Sequence, residues 1–492
     1  MNQPLDVAAV TLIRKGLRGS VALRVLTIIF LAVAAALPVG IVIGGLGFIY
    51  GSAVLIALAG GYLMLRSTQV GLIALIGIIC LLPFAVIPID IGFSPTFLDV
   101  VLITLYFTWI SRIATHRETE FYTDPPTLPL LIFVGLAIAS FVLGLSNARL
   151  TSNLLRHFAE IILGLLLFVL VINTIHDKAQ LKLIVRILLL AGTLAALVGI
   201  ALYFMPTNLA IRLLSLLRYV RYPAGPGVLR YIEDNPELAL RATSTSVDPN
   251  VLGGLVIFII SMAASQAMAD RPIIPRWMAY LCTVILGICL ILTYSRGSFV
   301  GTAAAMLCLA IRYPRKALWV MAAGVILLLL PPAQTYLRHF ISGLQRRDLA
   351  TQMRMGEYKD ALRLIERYPW FGVGFGGTPD RDLYLGVSNV YMLIASETGI
   401  TGLLAFLVTL VAFFIRFLTL PLRQMRGSEL EPIALGTVCA VLGGMVGGIF
   451  DHYLFNLVFP HATSLLWLTV GLGAVSFRLI RQEVGAKDAL PV

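Results

Sequence analysis

The stretch VILGICLILTYSRGSFVGTAAAMLCLAI (residues 284–311) places one arginine, Arg296, between two apolar runs. Residues 284–292 are apolar throughout, and residues 299–311 carry no charge. A charged side chain in the hydrocarbon of a bilayer costs at least about 2.5 kcal/mol. We therefore expect Arg296 to lie at a membrane surface, between the end of one helix and the start of the next, or to take part in chemistry.

The composition of the whole chain indicates a membrane protein. Of its 492 residues, 59% are hydrophobic and only 13% are charged, against about 25% charged residues in soluble domains. Apolar runs of about 20 residues recur along the chain, which is the length that crosses a bilayer. We predict an all-α, polytopic integral membrane protein with about 14 (12–14) transmembrane helices and two long extracytoplasmic loops.

The hydropathy pattern also predicts which connections share a side. The predicted spans are 25–43, 47–65, 70–88, 97–112, 127–146, 154–173, 182–204, 249–268, 276–293, 297–313, 316–332, 398–418, 432–450 and 459–479. The short connections that would share a side with the termini are basic, at 13–18, 271–276, 312–316, 423–426 and 478–482. The positive-inside rule therefore predicts that both termini are cytoplasmic. The net charge of +12 is divided between these turns and the outer loops, which argues against nucleic-acid binding.

These spans divide the chain into seven predicted regions. They are a cytoplasmic amphipathic N-terminal segment (1–24), N-terminal transmembrane helices (25–204), an extracytoplasmic loop (205–248), transmembrane helices (249–332), a large extracytoplasmic loop (333–397), C-terminal transmembrane helices (398–480) and a cytoplasmic tail (481–492). Loops longer than about 15 residues are usually functional or disordered. The two long loops contain helical periodicity, aromatic residues and glycine turns, so we expect them to be functional.

Three arginine-bearing stretches are predicted on the outer side. They are RATSTSVDPNVLGG (241–254), TYSRGSFVG (293–301) and RMGEYKDALRLIERYPWFGVGFGG (354–377). Asp248 followed by Pro249 is typical of a capped helix N-terminus. Guanidinium groups and helix N-termini both bind phosphate oxygens, so this set suits a diphosphate. The alternative is that the arginines anchor helix ends at the lipid headgroups; for Arg241 and Arg296 together, we favour phosphate binding.

The order of four motifs resembles the O-antigen ligase and polymerase superfamily of bacterial membrane glycosyltransferases. The motifs are TSTSVDPNVLGG (243–254), LTYSRGSFVG (292–301), RYPWFGVGFGG (367–377) and SNVYMLIASETGITGLLAFL (388–407), within a family-like region of about 240–415. The resemblance implies a metal-independent glycosyltransferase at the outer face of the bacterial cytoplasmic (inner) membrane. By resemblance, Arg241 and Arg296 hold the diphosphate of the donor.

The resemblance also implies the partners. The donor would be an undecaprenyl-diphosphate-linked oligosaccharide, and the acceptor a glycan or lipid in O-antigen or exopolysaccharide biosynthesis. Membrane lipid and a chain-length regulator are further expected partners. We expect no cofactor and no metal, since the chain shows no Asp-rich run and no His or Cys spacing typical of metal ligands.

One position departs from the ligase pattern. Ligases of this superfamily typically carry a histidine immediately before the asparagine of the fourth motif, where this chain has Ser388 before Asn389. A serine hydroxyl without a nearby base is a poor proton acceptor at neutral pH. We therefore favour a polymerase. An O-antigen ligase acting on lipid A-core and a protein O-oligosaccharyltransferase stay open as alternatives.

Other residues are candidates for the missing base and for the acceptor. FDHYLFNLVFPH (450–461) places Asp451 beside His452 in an outer connection, and histidine is a general base near pH 7. Glu397 is a further candidate base, although a role in helix capping is the simpler interpretation. Candidates for acceptor or loop contacts are Arg354, Arg363, Ser388 and Asn389.

A protein of another class would be a polyprenyl-lipid flippase or transporter. Such proteins usually carry charges within their spans and broken helices that meet at mid-membrane. The predicted spans here are nearly free of charge, and the polar chemistry gathers on one face. We therefore favour the enzyme.

Overall fold

The computed structural model describes residues 21–488 apart from several short gaps. The gaps are 89–91, 117–119, 148, 329–333, 335–348, 379, 381–382, 384–385 and 422–423. The chain divides into two compact units, residues 1–67 and 68–492. Most of the predicted N-terminal segment 1–24, and parts of the large loop 333–397, lie outside the described residues.

The described part of the first unit, from residue 21 onward, is a helix, α1 (Val21–Arg66). Two spans, 25–43 and 47–65, were predicted here with a turn at 44–46, so the structure differs from the prediction. The intervening residues are Gly44, Gly45 and Leu46. Glycine weakens a helix by about 1 kcal/mol but leaves its backbone hydrogen bonds possible, and the one proline of this helix, Pro38, lies before these residues.

The second unit is an assembly of helices with one two-stranded hairpin. Its helices are α2 (Thr68–Leu81), α3 (Phe97–Ala114), α4 (Thr127–Gly144), α5 (Ser152–Thr174), α6 (Lys178–Phe204), α7 (Thr207–Leu216), α8 (Pro249–Met268), α9 (Arg276–Leu292), α10 (Arg296–Arg312), α11 (Pro314–Leu328), α12 (Leu349–Arg367), α13 (Val390–Leu418), α14 (Glu431–Gly447) and α15 (Pro460–Asp488). The strands β1 (Arg230–Tyr231) and β2 (Leu240–Arg241) pair antiparallel.

The fold is that of an all-α polytopic membrane protein. Seven of the described helices are long and apolar enough to cross a membrane: α3, α4, α5, α6, α8, α13 and the 460–485 part of α15. Shorter apolar helices accompany them, among them α2, α9 and α14. The count of about 14 spans stays a prediction. The predicted tail 481–492 is helical as far as Asp488.

Helix α8 lies at the centre of the second unit. Its apolar stretch is buried along its whole length, and it packs against α9, α10 and α14 as well as α6 and α15. A helix that is apolar on every face is stable only when neighbours cover all of it. The N-terminus of α8, at Asp248 and Pro249, lies near the start of α10 and the end of α9, which Arg241 links to α8.

Connections that were predicted to share the side of the termini contact one another at one end of this unit, and the predicted basic connection 13–18 lies outside the described residues. Lys316 Nζ lies 2.7 Å from Asp270 Oδ1, and Lys182 Nζ lies 2.9 Å from Glu429 Oε2. Arg312 also pairs with Glu431. Turns that the sequence assigned to the same side are thus in contact with one another. The opposite end carries the arginine-bearing stretches.

Candidate functional site

A cavity of about 190 Å³ opens at the end of the helices opposite the basic connections. Three arginines from separate segments line it: Arg241 from β2, Arg296 from the first turn of α10, and Arg354 from α12. Asp451, from the connection between α14 and α15, lines the same cavity. The structure therefore brings Arg241 and Arg296 together, as a shared diphosphate site requires.

Arg241 is held by the segments that it joins. Its Nε donates to the Thr293 carbonyl oxygen (2.9 Å) at the end of α9, and its Nη2 donates to Asn250 Oδ1 (2.7 Å) in the first turn of α8. The Thr293 carbonyl is one of the carbonyls that a helix end leaves unbonded, so the guanidinium satisfies it. Burial lowers the pKa of Arg241 to about 10. The side chain is therefore still protonated at neutral pH.

Arg296 is the first residue of α10. The Ser295 hydroxyl caps this helix by accepting from the Ser298 amide. Arg296 Nη1 reaches Thr351 Oγ1 of α12 at 3.5 Å. The charge therefore stands at a helix N-terminus, where backbone amides also favour an anion. This placement answers the question raised by the apolar runs on either side of Arg296, because the arginine lies between two helices and faces a cavity.

Arg354 is positioned by contacts one turn further along α12. The Ser388 amide and hydroxyl both donate to Glu357 Oε2 at 2.9 Å. The Tyr358 hydroxyl donates to the Ser388 and Ile449 carbonyl oxygens at 3.3 and 3.4 Å. These bonds hold α12 against the fourth motif (388–407) and against the connection that bears Asp451. They therefore keep Arg354 at the cavity.

Three arginines and three acids (Glu233, Asp234 and Asp451) line the cavity, and the charges of Arg296 and Arg354 act on Arg241. Burial is the main cause of the lowered pKa of Arg241, and the charges of Arg354 and Arg296 lower it further, against the opposing effect of Asp248 and Asp451. Guanidinium groups that repel one another gain most from a ligand that carries several phosphate oxygens. Within the described residues, no three His, Cys, Asp or Glu side chains lie together as a metal site.

Asp451 and His452 are adjacent but not equivalent. Asp451 is buried, and burial raises the pKa of its carboxyl, while His452 and Arg354 act in the opposite direction. His452 Nδ1 lies 3.4 Å from Asp451 Oδ1. Asp451 lines the cavity, whereas His452 is not among the residues that line it. Of the two candidates for the base, the geometry favours Asp451.

The remaining predicted residues lie away from the cavity wall. Arg363 is exposed and lies 3.6 Å from Asp360. Asn389 caps α13 by accepting from the Tyr391 and Met392 amides, and it donates to the Ile449 carbonyl oxygen at 2.9 Å. Ser388 and Asn389 therefore position neighbouring elements.

Glu397 is a buried residue of the fourth motif (388–407). Its backbone lies against the glycine-rich turn at residues 372–377. The backbone of α13 leaves the helical conformation at Gly399 (φ 76°), which frees carbonyl groups of the preceding turn. The Glu397 carbonyl oxygen accepts from the Gly374 amide (3.0 Å), and the Ser396 carbonyl oxygen accepts from the Val373 amide (2.9 Å). This stretch holds the turn in place, and Glu397 does not line the cavity.

Eight of the twelve residues that line the cavity were not predicted from the sequence as site residues. Tyr231, Glu233 and Asp234 come from the β1–β2 hairpin, and Tyr294 precedes Arg296. The only signal for the first of these was the mixture of arginine and tyrosine in RYVRYPAGPGVLRY (218–231). Asn250, which holds Arg241, lies within a quoted motif, but its role depends on a contact that spacing does not reveal.

The fold and the cavity together define a class: a helical membrane protein with an arginine-rich cavity at one end, suited to a phosphorylated substrate. Residues 281–407 match the family model described as O-antigen ligase. This match supports the O-antigen ligase and polymerase superfamily, and an enzyme of the glycosyltransferase type that acts on a lipid-linked glycan. The matched segment includes Arg296 and Arg354. No curated protein matches the chain.

Proposed function

We propose that the protein is a polymerase of surface polysaccharide that transfers glycan from an undecaprenyl-diphosphate-linked donor. The reaction would take place at the outer face of the bacterial inner membrane, with both termini in the cytoplasm. The regions assigned from the sequence, including the loops 205–248 and 333–397, belong to this proposal. A glycan acceptor and a chain-length regulator would be its partners.

The observation that carries the proposal is the convergence of Arg241, Arg296 and Arg354 on one cavity. The three residues are far apart in sequence and come from three different elements, so helix-end anchoring alone does not require them to meet. A diphosphate offers several anionic oxygens, which suits three guanidinium donors better than a single phosphate does.

The chemistry follows from the donor. An acceptor hydroxyl attacks the anomeric carbon, the bond from that carbon to the diphosphate oxygen breaks, and the electron pair leaves with the diphosphate. Negative charge grows on this leaving group, and fixed guanidinium groups there stabilise the transition state. The arginines supply positive charge without a metal ion, so we propose a metal-independent reaction.

Asp451 is the residue that we propose takes the proton of the acceptor hydroxyl. A buried carboxylate with a raised pKa is a stronger base than an exposed one. His452, 3.4 Å from Asp451 Oδ1, would orient the carboxylate. Asp451 also lies on the same cavity as the three arginines, so the base and the leaving group would face one substrate.

The contacts of Ser388, in the fourth motif, support the preference for a polymerase. Ser388 occupies the position where ligases of the superfamily carry histidine, and its hydroxyl donates to Glu357. Its role here is to position α12, so a histidine-dependent acceptor site would have to be replaced by other residues. Transfer to lipid A-core or to a protein hydroxyl remains an alternative that the same assay distinguishes.

The test is a reconstituted assay with purified protein in liposomes and an undecaprenyl-diphosphate-linked oligosaccharide, in the presence of EDTA. We expect a ladder of lengthening chains from the wild-type protein. Arg296→Ala and Arg354→Ala should each lower the rate by about 10²–10³-fold, as expected for loss of one group that stabilises developing charge. Lys359→Ala is the matched control, because Lys359 is an exposed cation on the same helix as Arg354.

The products separate the alternatives. Transfer only after lipid A-core or a peptide acceptor is added would overturn the polymerase assignment in favour of a ligase or a protein glycosyltransferase. Wild-type rates in both arginine variants would overturn the donor site itself.

A further inference from the structure

We propose that the β1–β2 hairpin forms the binding site for the first sugar of the donor, with the Glu233 carboxylate accepting hydrogen bonds from sugar hydroxyls. Asp234, Tyr231 and Tyr294 complete this subsite. The inference rests on the proposed function, since it assigns the part of the same cavity that the diphosphate does not occupy.

The cavity has two chemically different sides. Arg241, at the end of the hairpin, belongs with Arg296 and Arg354 to a cationic side, whereas residues 231–234 of the hairpin contribute Glu233, Asp234 and the Tyr231 ring. A diphosphate is attracted by the first side and repelled by the second. The hairpin side must therefore face a part of the substrate that carries no negative charge.

The covalent structure of the donor identifies that part. Its diphosphate bears a polyprenyl chain on one phosphate and a sugar on the other. Exposed carboxylates are a poor surface for an isoprenoid chain, because contact with it would cost them hydration without a hydrogen bond in return. Sugar hydroxyls donate to carboxylates, and tyrosine offers both an apolar face and a hydroxyl. The acidic side therefore suits the sugar.

The hairpin is held directly against the cationic side. Its register pairs Tyr231 with Leu240, next to Arg241, and the Ile232 amide donates to the Ala239 carbonyl oxygen at 3.0 Å. Ile232 is buried against Ile291 and Tyr294. A sugar bonded to a diphosphate on Arg241 would thus be next to residues 231–234.

Backbone conformation at this side is unusual. Glu233, Asp234 and Tyr294 have φ values of 55°, 52° and 52°, in the left-handed region that is costly for residues with a side chain. The buried Ile232 between Tyr231 and Glu233 fixes the turn. This conformation places two consecutive carboxylates and Tyr231 at the rim of one cavity.

The two acids differ in their surroundings. Asp234 Oδ1 lies 3.8 Å from Arg230 Nη1, an exposed pair that is worth little energy. Glu233 is exposed, and no ion pair of its side chain is found among the described residues. Glu233 is therefore the carboxylate whose contact with a sugar has the least competition, and it is the residue to test.

The experiment compares two affinities in nanodiscs. One is for undecaprenyl diphosphate without sugar, and the other is for the same lipid carrying glucose, galactose or N-acetylglucosamine. We expect the wild-type protein to bind at least one glycosylated lipid more tightly than the bare lipid. Glu233→Gln should reduce this preference by about tenfold, the loss expected for a hydrogen bond to a charged group, and leave the affinity for the bare lipid unchanged. Glu237→Gln, an exposed acid of the same hairpin outside the cavity wall, should behave as the wild type.

Each outcome has one meaning. If no glycosylated lipid binds more tightly than the bare one, or if Glu233→Gln keeps the wild-type preference, the sugar subsite is wrong while the diphosphate site stands. If Glu233→Gln raises only the KM of the acceptor in the polymerisation assay, the hairpin binds the acceptor and the inference is also overturned. If even the bare lipid fails to bind the wild-type protein, the proposed function fails as well.

Discussion

Arg296 shows how a single residue can be placed from the sequence. A charge between two apolar runs has to leave the hydrocarbon, and in the structure it begins α10 at the wall of a cavity. Arg241 was predicted from a different pattern, because it comes shortly before the capped start of α8, and from the family resemblance. The two arginines were therefore predictable as members of one site.

Asp451 and Arg354 were harder to separate from their neighbours. The sequence offered Asp451, His452 and Glu397 as bases, and Arg354 and Arg363 as basic contacts, without a means of ranking them. Their ranking depends on which side chain lines the cavity, and for Arg354 the bonds of Glu357 and Tyr358 to Ser388 of the fourth motif decide this. Glu233 and Tyr294 escaped prediction because their placement depends on left-handed turns.

The pH dependence of the reaction tests Asp451. A base must be deprotonated, so the rate should fall as the pH drops through its pKa. Burial raises this pKa above the 3.8 of a free side chain, with His452, Arg354 and Asp248 as the charged neighbours. We expect an acidic limb in kcat/KM above pH 3.8. Asp451→Asn should lower kcat by about 10²–10⁴-fold and remove the limb.

His452 provides the comparison for that profile. His452→Ala should weaken activity less than Asp451→Asn and should retain an acidic limb, because the carboxylate would still be present. A profile that loses its acidic limb only in His452→Ala would assign the base to the histidine.

The close contact between helices α10 and α14 determines where Arg296 lies. A Cβ added at Gly301 of α10 would lie 2.5 Å from the Gly443 carbonyl oxygen of α14, and a Cβ at Gly443 would lie 2.8 Å from the Gly301 carbonyl oxygen. Small residues let membrane helices approach closely, with their backbones in contact. The glycines of SRGSFVG therefore set the position of Arg296 relative to the α14–α15 connection.

Gly301→Val should separate α10 from α14. The obstacle is backbone, which cannot turn away as a flexible side chain could, so we expect a loss of about 3 kcal/mol, the upper end for overpacking. The measurement is the melting temperature of the detergent-solubilised protein. Gly135→Val is the matched control, since a Cβ at Gly135 of α4 meets nothing within 4 Å. Equal melting temperatures for the two variants would show that the close contact is not required.

The elements also show where hydropathy alone was insufficient. It predicted a span from residue 398, whereas α13 begins at Val390 and departs from helical geometry at Gly399. Residues 390–398 are helical. The carbonyl oxygens of Ser396 and Glu397 also accept hydrogen bonds from the glycine-rich turn, and a count of apolar residues cannot reveal this contact. For α1, two runs were read as two spans because length was the only criterion.

At the scale of the whole molecule, the two ends of the second unit have different chemistry. One end is joined by pairs such as Lys316–Asp270 and Lys182–Glu429, and the other carries the cavity. The sidedness that the basic turns predict, with this joined end in the cytoplasm, stays a prediction. Helix α8 fills the centre of the second unit, so a flippase would have to displace it to open a path. The one-ended arrangement suits an enzyme that works at the membrane surface.

The most direct test of the central claim is the affinity of the protein in nanodiscs for undecaprenyl diphosphate relative to undecaprenyl monophosphate. We predict that the wild-type protein prefers the diphosphate by about tenfold or more, since a second phosphate adds charge-assisted hydrogen bonds. Arg296→Ala and Arg354→Ala should each reduce this preference, and Lys359→Ala should preserve it. An unchanged preference in both arginine variants, or none in the wild-type protein, would contradict a diphosphate site formed by these arginines.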